Sequence, residues 1–200
     1  MKFHHILKLT QEQLFDYIAR RFNFAIIAEN EYIYAPGNIP LMLVAHMDTV
    51  HEEPVKTICS SSGGNILMSP QGIGGDDRCG IWSLLQCYGS EYHPHLLFTC
   101  DEEVGGLGAE AFADDWARCY DMQSHLKLII EVDRKGNSDA VYYDTYCPEL
   151  EDYMADLGYK TAYGTYSDIS TIAPVLKVPA VNLSCRSEER RVGKECRSRW

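Results

Sequence analysis

Short, largely apolar runs are spaced along the chain: LMLVA at 41–45, LLFTC at 96–100, LKLIIEV at 126–132 and VPAVNLSC at 178–185. They lack the alternation of a half-exposed strand, so each predicts a strand covered on both faces. Between them the apolar spacing changes to that of a helix. Thr10-Gln11-Glu12-Gln13 fits a capping box opening a helix that continues through Leu14, Ile18 and Phe22. Helices are also predicted over 79–88, 109–119 and 148–158, the last with Pro148 at its start and Gly158 at its end. Lesser strands are expected at 24–28, 31–35, 55–59, 65–69 and 140–144, with Pro36-Gly37-Asn38 breaking the chain before the first buried run. This alternation predicts an α/β fold with a mostly parallel central sheet and helices on both faces.

Composition narrows the class. The 200 residues are 46% hydrophobic and 24% charged, with a mean hydropathy of −0.25, as in an ordinary water-soluble single domain. No apolar run approaches the roughly 20 residues of a spanning helix. MKFHHILKLTQEQ turns polar before an apolar core can form, so no secretory signal is read and the expected compartment is the cytoplasm. The eight cysteines include no CxxC pair, which removes the usual zinc-ribbon and thioredoxin signatures; Cys87 and Cys100 are expected as small buried hydrophobes. A net charge of −11 argues against nucleic acid or an acidic membrane surface as partner. Residues 186–200, RSEERRVGKECRSRW, hold six of the 18 Lys and Arg residues but three of the 29 acids. That segment reads as a translated sequencing adaptor, so the catalytic domain is sought in 1–185 and 186–200 is set aside as a non-native tail. The natural chain is therefore expected to continue beyond Cys185.

Polar residues gather where the buried strands end. LMLVA runs into His46-Met47-Asp48, LLFTC into Asp101-Glu102-Glu103, and LKLIIEV into Asp133, while GIGGDD supplies Asp76 and Asp77. In an open α/β sheet the carboxyl ends of strands share one crevice. One imidazole and several carboxylates meeting there require a cation to offset their repulsion, so a metal site follows. Singly, each element has a plainer reading as a turn, an N-cap or a solvated acidic face. Together, His46, Asp76, Glu103 and Asp133 follow one another at 30, 27 and 30 residues, about one strand–helix repeat each.

The stretches LMLVAHMDTV, GIGGDDRCG, LLFTCDEEVGGLGA and IIEVDRKG, in that order, resemble the co-catalytic zinc aminopeptidases and carboxypeptidase-deacylases of the MH clan. GTYSDISTIAP (164–174) and VPAVNLSC are similar to that clan's closing segments, so the resemblance covers 41–185. It implies a zinc-exopeptidase-like sandwich, hydrolysis of amide bonds in short peptides or aminoacyl substrates, and two divalent ions, zinc first, with cobalt or manganese as alternatives. Carried over, His46 and Asp133 would bind one ion, Glu103 the other, and Asp76 would bridge them. Glu102 would be the general base. Asp48, facing the same way as His46 on an extended strand, would support its second ring nitrogen. The resemblance also implies a cis peptide between Asp76 and Asp77. Ser167 and Asp168 are a separate expectation, as residues that contact substrate.

Two departures shape the expectation. Ser167 follows Asp133 by only 34 positions, too few for the lid domain of many relatives, which points to the single-domain aminopeptidase branch; the DDRCG and DEE phrasing is also similar to tripeptide aminopeptidases. The clan completes its second metal site with a late histidine, and this chain has none after His125. One ion would then have His46, Asp76 and Asp133, and the other only Asp76 and Glu103, so impaired activity is expected. Two other functions fit the residues: a magnesium-dependent phosphohydrolase, and a metal- or peptide-binding relative without turnover. The pattern leaves the oligomeric state open.

Overall fold

The computed structural model describes residues 2–51, 53–64, 66–89, 91–119, 126–188 and 194–197. The first half of the chain runs α1 (Phe3–Ile6), α2 (Gln11–Arg21), β1 (Ile26–Ala28), β2 (Tyr32–Ala35), β3 (Leu41–His46), β4 (Cys59–Ser60), β5 (Ile66–Ser69) and α3 (Gly75–Cys87). The second half runs β6 (His95–Thr99), α4 (Leu107–Cys119), β7 (Leu128–Lys135), β8 (Asp139–Val141), α5 (Pro148–Asp156), β9 (Lys160–Thr161), α6 (Asp168–Leu176), β10 (Ala180–Glu188) and β11 (Lys194–Arg197).

One sheet holds the strands in the order β1-β2-β6-β3-β7-β10-β11-β5-β4, with β8 and β9 branching from β10. The four central strands, β6-β3-β7-β10, are parallel, and antiparallel strands extend both flanks. Val44 on β3 lies opposite Leu97 on β6 and Glu131 on β7, which aligns the carboxyl ends of the three strands.

Alternation along each strand feeds two cores. Ile33, Ala35, Leu43, Ala45, Leu96 and Phe98 pack under Leu14, Phe15 and Ile18 of α2 and Ile81, Leu84 and Leu85 of α3. Tyr32, Tyr34, Met42, Val44 and Leu97 point the other way, onto Phe112 and Trp116 of α4 and Ile169, Ile172 and Leu176 of α6. With both faces covered, the central strands have no polar side to present, which is why they read as unbroken apolar runs. The capping box at Thr10 and Gln13 is formed, Pro148 opens α5, and Gly158 takes a φ of 91° just beyond its end.

Some expectations need correction. Of 55–59 only Cys59 enters a strand, in the short β4. His95 is buried in β6, where its Nδ1 hydrogen-bonds the Tyr34 hydroxyl. Cys87 is exposed, because it closes α3 on the turn facing away from the sheet, whereas Cys100 is buried as expected. The closing segment holds a full helix, α6, and β11 within 186–200 pairs antiparallel to β10 and β5. His125 lies outside the described residues. Between Asp133 and Ser167 the described chain forms β8, α5 and β9, with no lid domain. Among the described residues no helix is long and apolar enough to cross a membrane.

Candidate metal centre at the strand ends

His46 is the last residue of β3 and is buried. Its Nδ1–H donates to Asp48 Oδ1 at 3.1 Å, while Nε2 faces Asp76 Oδ1 at 3.2 Å and Asp133 Oδ1 at 3.4 Å. Asp133 comes from the carboxyl-terminal part of β7, and Asp76 from the first turn of α3, where its φ of −89° and ψ of 110° depart from helix and turn it outward. The peptide between Asp76 and Asp77 is cis, as the resemblance implies. Asp77, on the far side of that bond, is buried and accepts the Gly80 N–H at 2.8 Å.

The loop between β6 and α4 is anchored from two directions. Asp48 Oδ1 also accepts the Glu102 N–H at 3.1 Å, and its Oδ2 accepts the Glu103 N–H at 2.9 Å. Gln11, the first residue of α2, donates from Nε2 to Asp101 Oδ1 at 2.9 Å and accepts the Asp101 N–H at 3.1 Å. Asp101 itself holds a φ of 59°, in the left-handed region that Asp tolerates better than most residues. Gly106, with a φ of 72°, turns the chain into α4, and an added Cβ there would collide with the Tyr166 hydroxyl.

Electrostatics reflect this crowding. Burial works to lower the His46 pKa, but hydrogen bonds to Asp133, Asp48 and Asp76 outweigh it and hold the imidazole well above its ordinary value. Burial also resists ionisation of Asp48, yet the His46 contact and the two loop N–H groups keep it below the carboxylate range. Asp133 is pushed well up by burial and by the Asp76 charge, against the pull of His46. Burial, with Asp168, Glu103 and Asp48 adding repulsion, lifts Glu102 to about 7 despite the opposing attraction of His46. Arg78, next to Asp77, is the buried counter-charge: burial lowers its pKa to about 10, opposed by Asp48 and Asp77.

The donor atoms fit a divalent ion. His46, Asp76 and Asp133 each offer one ligand atom, all within 4.8 Å of one another, and so do His46, Glu102 and Glu103. One nitrogen with two carboxylate oxygens is a donor set suited to zinc. The Asp48–His46 hydrogen bond is the support such a ligating imidazole usually has.

The structure thus brings together six of the sequence-derived residues: His46, Asp48, Asp76, Glu102, Glu103 and Asp133. Ser167 and Asp168 are fully buried at the start of α6, where Asp168 feels the charges of His46 and Asp48. Asp168 accepts a hydrogen bond from the Thr99 hydroxyl and is raised to about 6 by burial, so in this structure neither side chain is open to a ligand. Sequence reasoning missed Gln11, Arg78 and buried Glu131. Only Arg78 left a signal, as a lone cation after two acids in DDRCG.

No family model matches the sequence, and no curated protein matches it. Among solved structures the chain is similar to a tripeptidase from Staphylococcus aureus subsp. aureus Mu50, with 13% identity and a TM-score of 0.65 over 98% of this chain and 91% of that one. It is similar to aminopeptidase PepT from Bacillus cereus at 12% identity and a TM-score of 0.65, covering 98% and 92% of the two chains. A third match is PhTET1, a dodecamer in its asymmetric unit, at 13% identity and a TM-score of 0.59 over 96% and 92%. At these identities the likeness is one of fold, and the fold is the α/β sandwich expected from the sequence.

Proposed function

We propose that this chain is a metal-dependent hydrolase of peptide amide bonds, acting on short peptides in the manner of an aminopeptidase. The observation that carries the reading is Glu102: a half-buried carboxyl raised to about 7, grouped with His46 and Glu103 within 4.8 Å. A group with that affinity can hold a proton and release it near neutral pH, as a general base and then acid must. The fold shared with a tripeptidase and an aminopeptidase supports the same reading.

His46, Asp76 and Asp133 would hold one ion, preferably zinc, and Glu103 with Asp76 would contribute to a second. Such an ion supplies Lewis-acid chemistry when bound. The protein's own part is positional. Asp48 fixes the His46 ring through Nδ1 and, through the Glu102 and Glu103 N–H groups, sets the loop that carries the base. Glu102 takes the proton of the attacking water at its carboxylate and returns one to the leaving amine. The imidazole among the ligands disfavours the magnesium phosphohydrolase reading, since magnesium takes oxygen donors.

The test is hydrolysis of di- and tripeptides by the zinc-loaded chain. Glu102→Gln is expected to retain zinc while turnover drops by about 10²- to 10⁴-fold. Unchanged turnover in that variant would remove Glu102 from the chemistry. Peptide bound but not cut by the unaltered chain would favour a binding protein, a second reading motivated by the second donor cluster sharing His46 with the first among the described residues.

A further inference from the structure

Simple alternation along β7 puts Glu131 and Asp133 on one face and Arg134 on the other. The pairing with β10 breaks that alternation. Asn182 lies opposite Glu131, but Ser184 lies opposite Arg134, so three steps on β7 span two on β10. An extra residue of this kind bends a strand and re-aims the side chains beyond it. Asn182 and Ser184 share a face, so Arg134 returns to the face of Glu131, directly after the ligand Asp133.

Its surroundings are shaped to receive it and leave it without an acid. The guanidinium lies against Gly164, where an added Cβ would stand 3.0 Å from both Nη1 and the Tyr143 hydroxyl. Nη2 donates to the Tyr163 carbonyl at a long 3.5 Å, and Nε is buried with no hydrogen-bond partner. Among the described residues Arg134 forms no ion pair, in a chain of net charge −11. Because it follows Asp133 directly, its Cα lies about 3.8 Å from that of a residue in the candidate metal cluster.

We infer that Arg134 is a specificity-determining residue that receives a carboxylate of the substrate, which rests on the peptide-hydrolase reading above. A guanidinium presents a planar fork that matches a carboxylate and stays charged at every working pH. The carboxylate is the peptide's own C-terminus or an acidic side chain, and the adjacency of Arg134 to Asp133 favours a peptide of a few residues.

The experiment is titration calorimetry on the zinc-loaded chain carrying Glu102→Gln, which keeps bound peptide whole. The probes are trialanine, trialanine amide and Ala-Glu-Ala amide. Trialanine is expected to bind roughly 10- to 100-fold more tightly than its amide. Adding Arg134→Gln should erase that difference, and Arg134→Lys should keep part of it. Ala-Glu-Ala amide binding as tightly as trialanine, again only with Arg134 present, would assign the carboxylate to a side chain. Equal binding of all three probes to protein with Arg134 intact overturns the inference and leaves the peptide reading standing. No binding of any probe overturns both.

Discussion

Asp48 joins two parts of the site through separate oxygens. Oδ1 accepts from His46 and the Glu102 N–H, and Oδ2 accepts from the Glu103 N–H. Asp48→Asn would replace one acceptor with a donor aimed at an N–H or at the ring. Zinc affinity is expected to fall about 10- to 100-fold, as read by chelator competition; unchanged affinity would show that the Asp48 contact does not support the ligand. Asp168 makes a different prediction. Its folded pKa of about 6 lies above the ordinary 3.8, so the folded protein binds the proton more tightly than the unfolded chain. Its contribution is therefore lost as pH rises from 3.8 through about 6, and the protein bears the cost above that. Asp168→Asn, measured by melting in chelator, should raise stability at pH 7 by about 2 kcal/mol and give no advantage below pH 4. At this scale the sequence revealed the candidate ligands, because a polar residue ending an apolar run is conspicuous. It did not reveal Arg134, since a bulge depends on the partner strand and leaves no mark in β7 alone.

The elements succeed where burial is two-sided. β3, β6 and β7 were legible because their side chains enter a core on both faces, and their ends located the acids. The sequence pattern starts α3 at Cys79, although the helix opens at Gly75, because Asp76 and Asp77 sit in its first turn with non-helical dihedrals. The sequence pattern leaves α6 a closing segment without a helix, since Pro174 inside it breaks the usual helical signature. The join between β6 and α4 is tighter still. A Cβ on Gly108 would come within 2.3 Å of the Glu31 carbonyl and 2.6 Å of the Cys100 nitrogen, both backbone atoms that cannot swing aside. Gly108→Ala is thus expected to destabilise the fold by about 1–3 kcal/mol in chemical denaturation. A loss below half a kcal/mol would mean the helix can shift without cost.

Over the whole molecule, acidic charge and sheet topology act together. The net charge of −11 draws cations generally, but the parallel core collects one imidazole and five carboxylates at a single edge. A ligand that binds only the folded state stabilises it by mass action. Zinc should therefore raise the melting temperature progressively, by an amount equivalent to about 2.7 kcal/mol at a hundredfold excess over Kd. His46→Ala should abolish that response, and a response surviving the substitution would place the ion elsewhere. Elemental analysis is expected to give one tightly held zinc per chain and a second that washes out, because among the described residues the second cluster shares His46 with the first. Two ions surviving dialysis would overturn that expectation.

The bond pair between Gln11 and Asp101 reaches across 90 positions, from the head of α2 to the turn that carries Glu102. The segment before β1 is consequently part of the working machinery, although it supplies no ligand. A protease nick between α2 and β1 would spare every strand of the parallel core and leave His46 on β3, Asp133 on β7 and Asp76 on α3. Its earliest symptom would be Glu102, the proposed base, adrift from its setting, with the proposed activity fading well before the protein came apart.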